Sequence, residues 1–421
     1  MKTKALRLYG KNDLRLESFD LPEIGDDEIL ATVVTDSICL SSWKEANLGA
    51  DHKKVPDNVA ENPIIIGHEF CGDILQVGKK WQHKFKPGSR YVIQANLQLP
   101  DRPDCPGYSF PYVGGEATHV VIPNEVMEQD CLLPYEGESY FEGSLVEPLS
   151  CVIGAFNANY HLVPGTYQHK MGIKPGGNVL ILGGTGPMGL LAIDYALHGP
   201  INPQLLVVTD RHQQKLDYAA RLYPSEPQTQ VHYLNTKQTD DQFERLMALT
   251  EGKGYDDIFV FVPSAELVTL ASSLLAPDGC FNFFAGPQDK NFMASVNFYD
   301  IHYSFTHYVG TSGGNTDDMR EAVKLIEAKK VNAGKVNAGK VVSHILGLND
   351  AAETTLNLPQ IIGGKKLVYT GKNMPLTSLS ELMSHQQDSP LLQELQAILR
   401  KTDGLWSKAA EDFVLAHAQE I

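Results

Sequence analysis

Over residues 6–34 apolar and polar side chains alternate in short runs, broken at Tyr9-Gly10-Lys11-Asn12-Asp13 and at Gly25-Asp26-Asp27. A period of two punctuated by such turn residues predicts β-strands and tight turns. Residues 41–48 predict one or two helical turns, and the polar, proline-bounded stretch 50–63 predicts a loop. Ile64-Ile65-Ile66 leads into Gly67-His68-Glu69; 70–77, 90–94 and 117–123 read as further strands, with a turn at Lys86-Pro87-Gly88. Residues 96–115 hold prolines 100, 103, 106 and 111, glycines 107, 114 and 115, and Cys105, which predicts a long irregular excursion. Its Tyr108, Phe110 and Tyr112 have two readings, the wall of a cleft or packing for the loop itself.

The period then changes. Residues 142–156 read as a helix carrying Glu147-Pro148, and from Ile173 strand patterns (179–182, 205–209, 231–234, 258–262, 280–284) alternate with helical ones (213–222, 242–250, 265–275). That alternation specifies a doubly wound parallel sheet. A further helix is expected over 316–329, and the five residues 331–335 recur as 336–340, too short a repeat for a solenoid and read as a loop insertion. Residues 366–370 read as a closing strand. In 371–421, Ser378 with Glu381 resembles a capping box, Ser389-Pro390 a cap before an N1 proline, Leu391, Leu395 and Ile398 share one face, and Trp406, Ala410, Phe413 and His417 share another. These predict an amphipathic helical appendage packed on the main body or on a partner subunit.

At the centre of the alternating part, the apolar run 179–182 gives way to Gly183, Gly184, Thr185, Gly186, Pro187, Met188 and Gly189, followed at once by a helical pattern. Gly184, Gly186 and Gly189 form G-x-G-x-x-G: a tight turn, a backbone approach to a pyrophosphate, and a close helix–strand contact, with the helix N-terminus facing the phosphates. Asp210 closes the next strand 26 residues after Gly184, placed to bind the two hydroxyls of an adenosine ribose. Without a nucleotide the same pattern is an ordinary βαβ turn.

The chain of 421 residues is long enough for two cores, and its 43% hydrophobic and 20% charged residues are ordinary for a globular protein. A net charge of -16 argues against a nucleic-acid partner. No stretch reads as a signal peptide or a bilayer span, so a cytoplasmic protein without membrane contact is expected. The cysteines at 39, 71, 105, 131, 151 and 280 include no C-x-x-C pair, which predicts neither a disulfide framework nor a four-cysteine zinc knot.

Cys39, His68, Glu69 and Glu147 are of the types a catalytic zinc takes, three protein donors with one position open. Spacing does not establish that they meet; each also reads as a buried small residue, a strand-entry pair or a helix-face charge.

Taken together, Cys39-Leu40-Ser41, Gly67-His68-Glu69-Phe70-Cys71-Gly72, Gly114-Gly115, Val146-Glu147-Pro148-Leu149 and the glycine turn resemble the zinc-dependent medium-chain dehydrogenase family, in its polyol-dehydrogenase branch. The likeness spans residues 1 to about 370 in the family's order. It implies a GroES-like catalytic domain interrupted by a Rossmann coenzyme domain, with the active site in the cleft between them. The resulting division is 1–155 for the first catalytic part, 156–305 for the coenzyme domain, 306–370 for the return and 371–421 for a helical C-terminal extension. Carried over, Cys39 and His68 are zinc ligands, Glu147 stands where the alcohol-dehydrogenase branch has a third cysteine, and Glu69 is a ligand or a neighbour of one. Only Cys105 lies in the stretch where relatives hold four cysteines, so one catalytic zinc and no structural zinc is expected. Lys44 replaces the histidine that relays a proton in relatives, which puts the outer relay step in question, while Ser41 keeps its hydroxyl.

The resemblance implies hydride transfer between a nicotinamide and a polyol or ketose, with Ser41, Lys44 and Glu69 as catalytic side chains. The coenzyme contacts are Gly184, Thr185, Gly186, Pro187, Met188, Gly189, Asp210, Arg211 and Lys215. Asp210 would repel a 2'-phosphate, which favours NAD; Arg211 beside it keeps NADP open. The run 35–42, the missing cysteine lobe and the C-terminal helices resemble members that interconvert L-sorbose 1-phosphate and D-glucitol 6-phosphate, with Lys44 and His52-Lys53-Lys54 as candidate phosphate cations or else a solvated charge run. An unphosphorylated polyol or secondary alcohol, a zinc-free quinone or enone reductase, and an inactive nucleotide-binding relative are the rival readings. A homo-oligomer, dimer or tetramer, is expected.

Overall fold

The computed structural model describes residues 1–100, 102–239, 241–328, 336–387 and 389–421. The first copy of the repeat, 331–335, and the end of the 316–329 helix lie outside the described residues. Contacts divide the chain into two units, one of Met1–Glu147, Ala322–Glu327 and Ala338–Ile421, the other of Pro148–Glu321 and Ala328–Asn337.

The first unit is β-rich. Lys2–Gly10 pairs antiparallel with Asp13–Asp20 and with Ile64–Ile65. A larger sheet runs Thr377–Ser378, Val342–Gly347, Lys365–Tyr369, Thr35–Ile38, Phe70–Val77, Ile29–Thr32, His119–Ile122, with Arg90–Ile93 paired to Phe70–Val77 and Leu132–Pro134 paired in turn to Arg90–Ile93. Period-two alternation is the reason: Ile29, Ala31, Val33, Phe70, Ile74 and Tyr91 all point into one core. The predicted helix 142–156 is two helices, Tyr140–Ser144 and Val146–Ala158.

The C-terminal helices belong to this unit. Ser378 Oγ accepts from the Glu381 amide as a cap, whereas Ser389 makes no side-chain cap bond, a correction to the expected pair. In Pro390–Leu399 the buried apolar side chains are Leu395, as expected, and Leu399, with Leu391 and Ile398 partly buried; in Lys408–His417 they are Ala410 and Val414, while Phe413 and His417 stack on each other. Glu411 is buried there, its carboxylate accepting from the Tyr140 and Phe141 amides at 2.8 and 2.7 Å. It thus satisfies two of the unpaired N–H groups that begin a neighbouring helix. Trp406 Nε1 donates to Tyr369 Oη at 2.8 Å.

The second unit is a six-stranded parallel sheet in the order Gln230–Asn235, Leu205–Asp210, Asn178–Leu182, Tyr255–Val260, Leu275–Phe283, His307–Gly310. The sheet reverses direction of growth about Asn178–Leu182, as a doubly wound sheet does. Its sixth strand, His307–Gly310, lies beyond residue 305, so the chain is still in this unit there.

Candidate active site and its relatives

Three strand ends meet in the first unit. Cys39 directly follows Thr35–Ile38, His68 and Glu69 directly precede Phe70–Val77, and Lys365 opens Lys365–Tyr369, whose next residue pairs with Ile38. Asp36 Oδ1 accepts from the Glu69 amide at 3.1 Å and the Ser37 amide donates to the Glu69 carbonyl at 3.0 Å, which pins the His68-Glu69 segment to its neighbour strand. Gly67 turns the chain into it with φ +91, and a Cβ there would lie 2.8 Å from Asp36 Oδ2. Only glycine takes that conformation in that space without strain.

Cys39, His68 and Glu69 each offer a ligand atom, all within 4.8 Å of one another. Among the described residues this is the one such group of three, and Glu147 is not in it. Glu147 is nonetheless close enough for its charge to act on Cys39, Tyr108 and Lys365. Burial first, then the Glu69 carboxylate, push the Cys39 thiol up to about 12, with Glu147 adding to it. Burial, with Lys365, Lys54 and His52, holds His68 down at about 3, a neutral imidazole. His68 Nδ1 is buried without a hydrogen-bond partner. A thiol that burial and carboxylates keep from ionising, a neutral imidazole with an orphaned nitrogen and a carboxylate are a donor set that fits Zn²⁺, which would draw off the thiol proton.

Sequence reasoning missed Lys365. Its buried ammonium donates to Glu69 Oε1 and Oε2 at 2.6 and 2.5 Å, and Ser37 Oγ donates to Glu69 as well. Burial works against the Lys365 charge, yet Glu69 and Cys39 outweigh it and hold its pKa above the ordinary lysine range. The sequence signal was two lysines opening an otherwise apolar strand, Lys365 and Lys366. Ser41 reaches the site twice, its amide bonded to Cys39 and its hydroxyl to Tyr108 Oη. Lys44 is half-buried, and burial lowers its pKa against the opposing pull of Cys39. Of the three loop aromatics, Tyr108 lies against His68, Oη to Nε2 3.3 Å, whereas Phe110 packs on the core and Tyr112 is exposed.

In the second unit the strand Asn178–Leu182, the turn and the helix Pro187–His198 stand as the motif requires. The left-handed residue is Gly183, φ +73, rather than Gly184; Gly184 is needed because a Cβ would meet Ile181 and Val208 at 2.7 and 2.8 Å. A Cβ on Gly189 would be 2.4 Å from the Gly184 carbonyl, while one on Gly186 meets nothing within 4 Å, so that backbone faces open space. Thr185 Oγ1 donates to Asp210 Oδ2, and the His212 amide donates to Asp210 Oδ1 at 3.0 Å. Burial opposes the Asp210 charge, but the Thr185 and His212 bonds outweigh it and keep the carboxyl below its ordinary range. Gly183, Asp210, Arg211, His212 and Lys215 line a cavity of about 870 Å³; Gly184, Thr185, Gly186, Pro187, Met188 and Gly189 are not among its lining residues.

The pattern of the alcohol dehydrogenase GroES-like domain matches residues 25–133 and that of the zinc-binding dehydrogenases matches 187–328. The L-sorbose 1-phosphate reductase of Klebsiella pneumoniae is 71% identical over 419 residues, 100% of this chain and 98% of that protein. The chain belongs to the zinc-dependent medium-chain dehydrogenases. Also similar to this dehydrogenase is the mannitol-1-phosphate 5-dehydrogenase of Aliivibrio fischeri, 42% identical over 98% of this chain and 97% of that one. Among solved structures, the 2R,3R-butanediol dehydrogenase of Bacillus subtilis shares the fold with TM-score 0.70 at 21% identity, covering 87% of this chain and 99% of its own. As a member of this family the dehydrogenase is an oxidoreductase. Among the described residues no helix is long and apolar enough to cross a membrane.

Proposed function

We propose that this dehydrogenase interconverts a phosphorylated polyol and its ketose, of the D-glucitol 6-phosphate and L-sorbose 1-phosphate type, in the cytoplasm, with one zinc per chain and NAD preferred. The observation that carries this is the cluster of Cys39, His68 and Glu69 in a chain 71% identical to an L-sorbose 1-phosphate reductase from end to end.

Cys39 and His68 would hold the zinc with Glu69 or Glu147 as third donor; Glu69 lies in the cluster and also accepts from Lys365 and Ser37. When bound, the zinc would supply Lewis acidity toward the substrate oxygen and the nicotinamide would supply the hydride donor or acceptor for the carbon that bears that oxygen. Ser41 takes the alcohol proton during oxidation and returns it in reduction. Lys44, three residues along the helix Leu40–Leu48 and so on the same face, is the next group outward, its pKa lowered by burial toward the range where an amine can accept a proton. Lys365 holds Glu69 in place through two hydrogen bonds.

NAD preference rests on Asp210, whose carboxylate meets the adenosine ribose and repels a 2'-phosphate. Arg211, His212 and Lys215 around the same cavity keep NADP as a usable second cofactor. The edge strand His307–Gly310 and the exposed Phe298, Tyr299, Tyr303 and Phe305 support a homo-oligomer, dimer or tetramer, which sedimentation reads directly. Metal analysis, with polyols and ketose phosphates assayed against both nicotinamides, tests the whole reading. One zinc per chain, loss of turnover in Cys39→Ser and activity on the phosphorylated pair are expected; two zincs, or activity after exhaustive chelation, overturn it.

A further inference from the structure

Beside His68 the first unit carries two lysines and a histidine that hydride transfer does not use. After the helix Leu40–Leu48 the chain turns through Gly49–Asp51 and presents His52, Lys53 and Lys54. The segment is fastened to the loop that follows residue 100: Ser109 Oγ donates to the Lys54 carbonyl at 2.7 Å and accepts from the Cys105 amide at 3.0 Å. The Tyr108 ring is the common floor. His52 stacks on it, centroids 5.7 Å apart and planes 14° from parallel, and the Lys54 ammonium lies 4.9 Å from its centroid and 3.1 Å from Cys105 Sγ. The same ring is 4.8 Å from that of His68. A single aromatic ring therefore separates Lys54 from the imidazole that would bind zinc.

These charges are not cancelled locally. Among the described residues no carboxylate forms an ion pair with His52, Lys53 or Lys54; Glu45, buried near Lys54, is held well above the ordinary carboxylate range by burial and by Glu116. Burial, with Lys54, Lys53 and Lys44, pushes His52 down to about 4, so its ring is neutral and the positive charge here is that of the lysines. Holding like charges together costs free energy that an anion relieves.

Resting on the reading that the substrate is phosphorylated, we propose that Lys54 and His52, seated on Tyr108, form the subsite for its phosphomonoester. The chemistry of that substrate fits the placement. In a ketose 1-phosphate the carbonyl is at C2, so the phosphorus is three bonds from the reacting carbon, and its cations must stand next to the metal ligands rather than at the far end of a long cleft. Lys54 supplies a point charge, and His52 a ring N–H that the phosphate dianion strengthens. Both would set specificity, leaving the transfer of hydride and proton to the groups already described.

The test is the ratio of kcat/KM for D-glucitol 6-phosphate to that for D-glucitol, in the wild-type holoenzyme and in Lys54→Met, His52→Ala and Lys54→Arg, with inorganic phosphate as a competitive inhibitor of D-glucitol oxidation. Loss of one charged hydrogen bond predicts a fall in the ratio of about ten- to a hundredfold for Lys54→Met, a smaller fall for His52→Ala, a ratio largely kept by Lys54→Arg, and weaker inhibition by phosphate in Lys54→Met. Circular dichroism and thermal melting of Lys54→Met confirm that it folds. A high wild-type ratio that Lys54→Met leaves intact overturns the subsite while the phosphorylated-substrate reading stands. A wild-type ratio near one overturns that reading, and the subsite with it.

Discussion

Glu411 makes the sharpest test of what the C-terminal helices do. Its buried carboxylate accepts the Tyr140 and Phe141 amides, so Glu411→Ala strands two N–H groups at the start of the helix that leads to Val146 and Glu147. An unsatisfied buried donor costs about 1–3 kcal/mol, which puts the pair at roughly 2–6 kcal/mol before any relief from removing a buried charge. Burial, only partly offset by the Phe141 and Tyr140 amides, raises the Glu411 pKa from 4.5 to about 7. A carboxyl with a raised folded-state pKa gives stability that is complete below pH 4.5 and is lost as pH climbs through 7. Between pH 5.5 and 8 the wild type should lose about 2 kcal/mol from this group, an upper figure, and Glu411→Ala should lack that loss. The penalty of the substitution is thus larger at pH 5.5 than at pH 8. All three tryptophans, Trp43, Trp81 and Trp406, lie in the first unit, so urea unfolding followed by tryptophan fluorescence reads that unit alone. Equal pH slopes in wild type and variant would refute the assignment of the buried titration to Glu411. An unchanged midpoint at pH 5.5 would refute its role as a cap.

Lys365→Met leaves the Glu69 carboxylate buried and unpaired beside Cys39 and should cost about 3–5 kcal/mol in the same unfolding transition, with Lys365→Arg recovering most of it; a loss under 1 kcal/mol would mean the pair is not held as described. Gly186→Ala should fold normally, since its Cβ enters open space, yet bind the nicotinamide coenzyme about tenfold more weakly, whereas Gly189→Ala should destabilise the second unit through its contact with the Gly184 carbonyl; unchanged coenzyme affinity in Gly186→Ala argues against pyrophosphate at that turn. Asp210→Ala should raise the NADP-to-NAD ratio of kcat/KM at least about tenfold, and a ratio that does not move would assign the discrimination to Arg211 or Lys215 instead.

Periodicity and turn chemistry are local, and they determined the two classes of unit, the strand–glycine–helix turn and the acid that ends the next strand. Each rests on local sequence: 179–189 carries the glycine-turn argument in eleven residues, and the alternation of 6–34 is read from neighbouring positions. The join of Tyr140–Ser144 to Val146–Ala158 and the buried faces of the last two helices were less legible, because a helical pattern does not say which of two adjacent stripes meets the core. What brought Cys39, His68 and Glu69 within 4.8 Å was strand pairing between segments about thirty residues apart, and Lys365 joined them from nearly three hundred residues further on. A lysine in sequence is a solvated charge by default. Only where tertiary packing withdraws water does its charge need a carboxylate, and the choice of Glu69 for Lys365, or of Glu411 for two amides of a distant helix, follows from which groups the fold desolvates together.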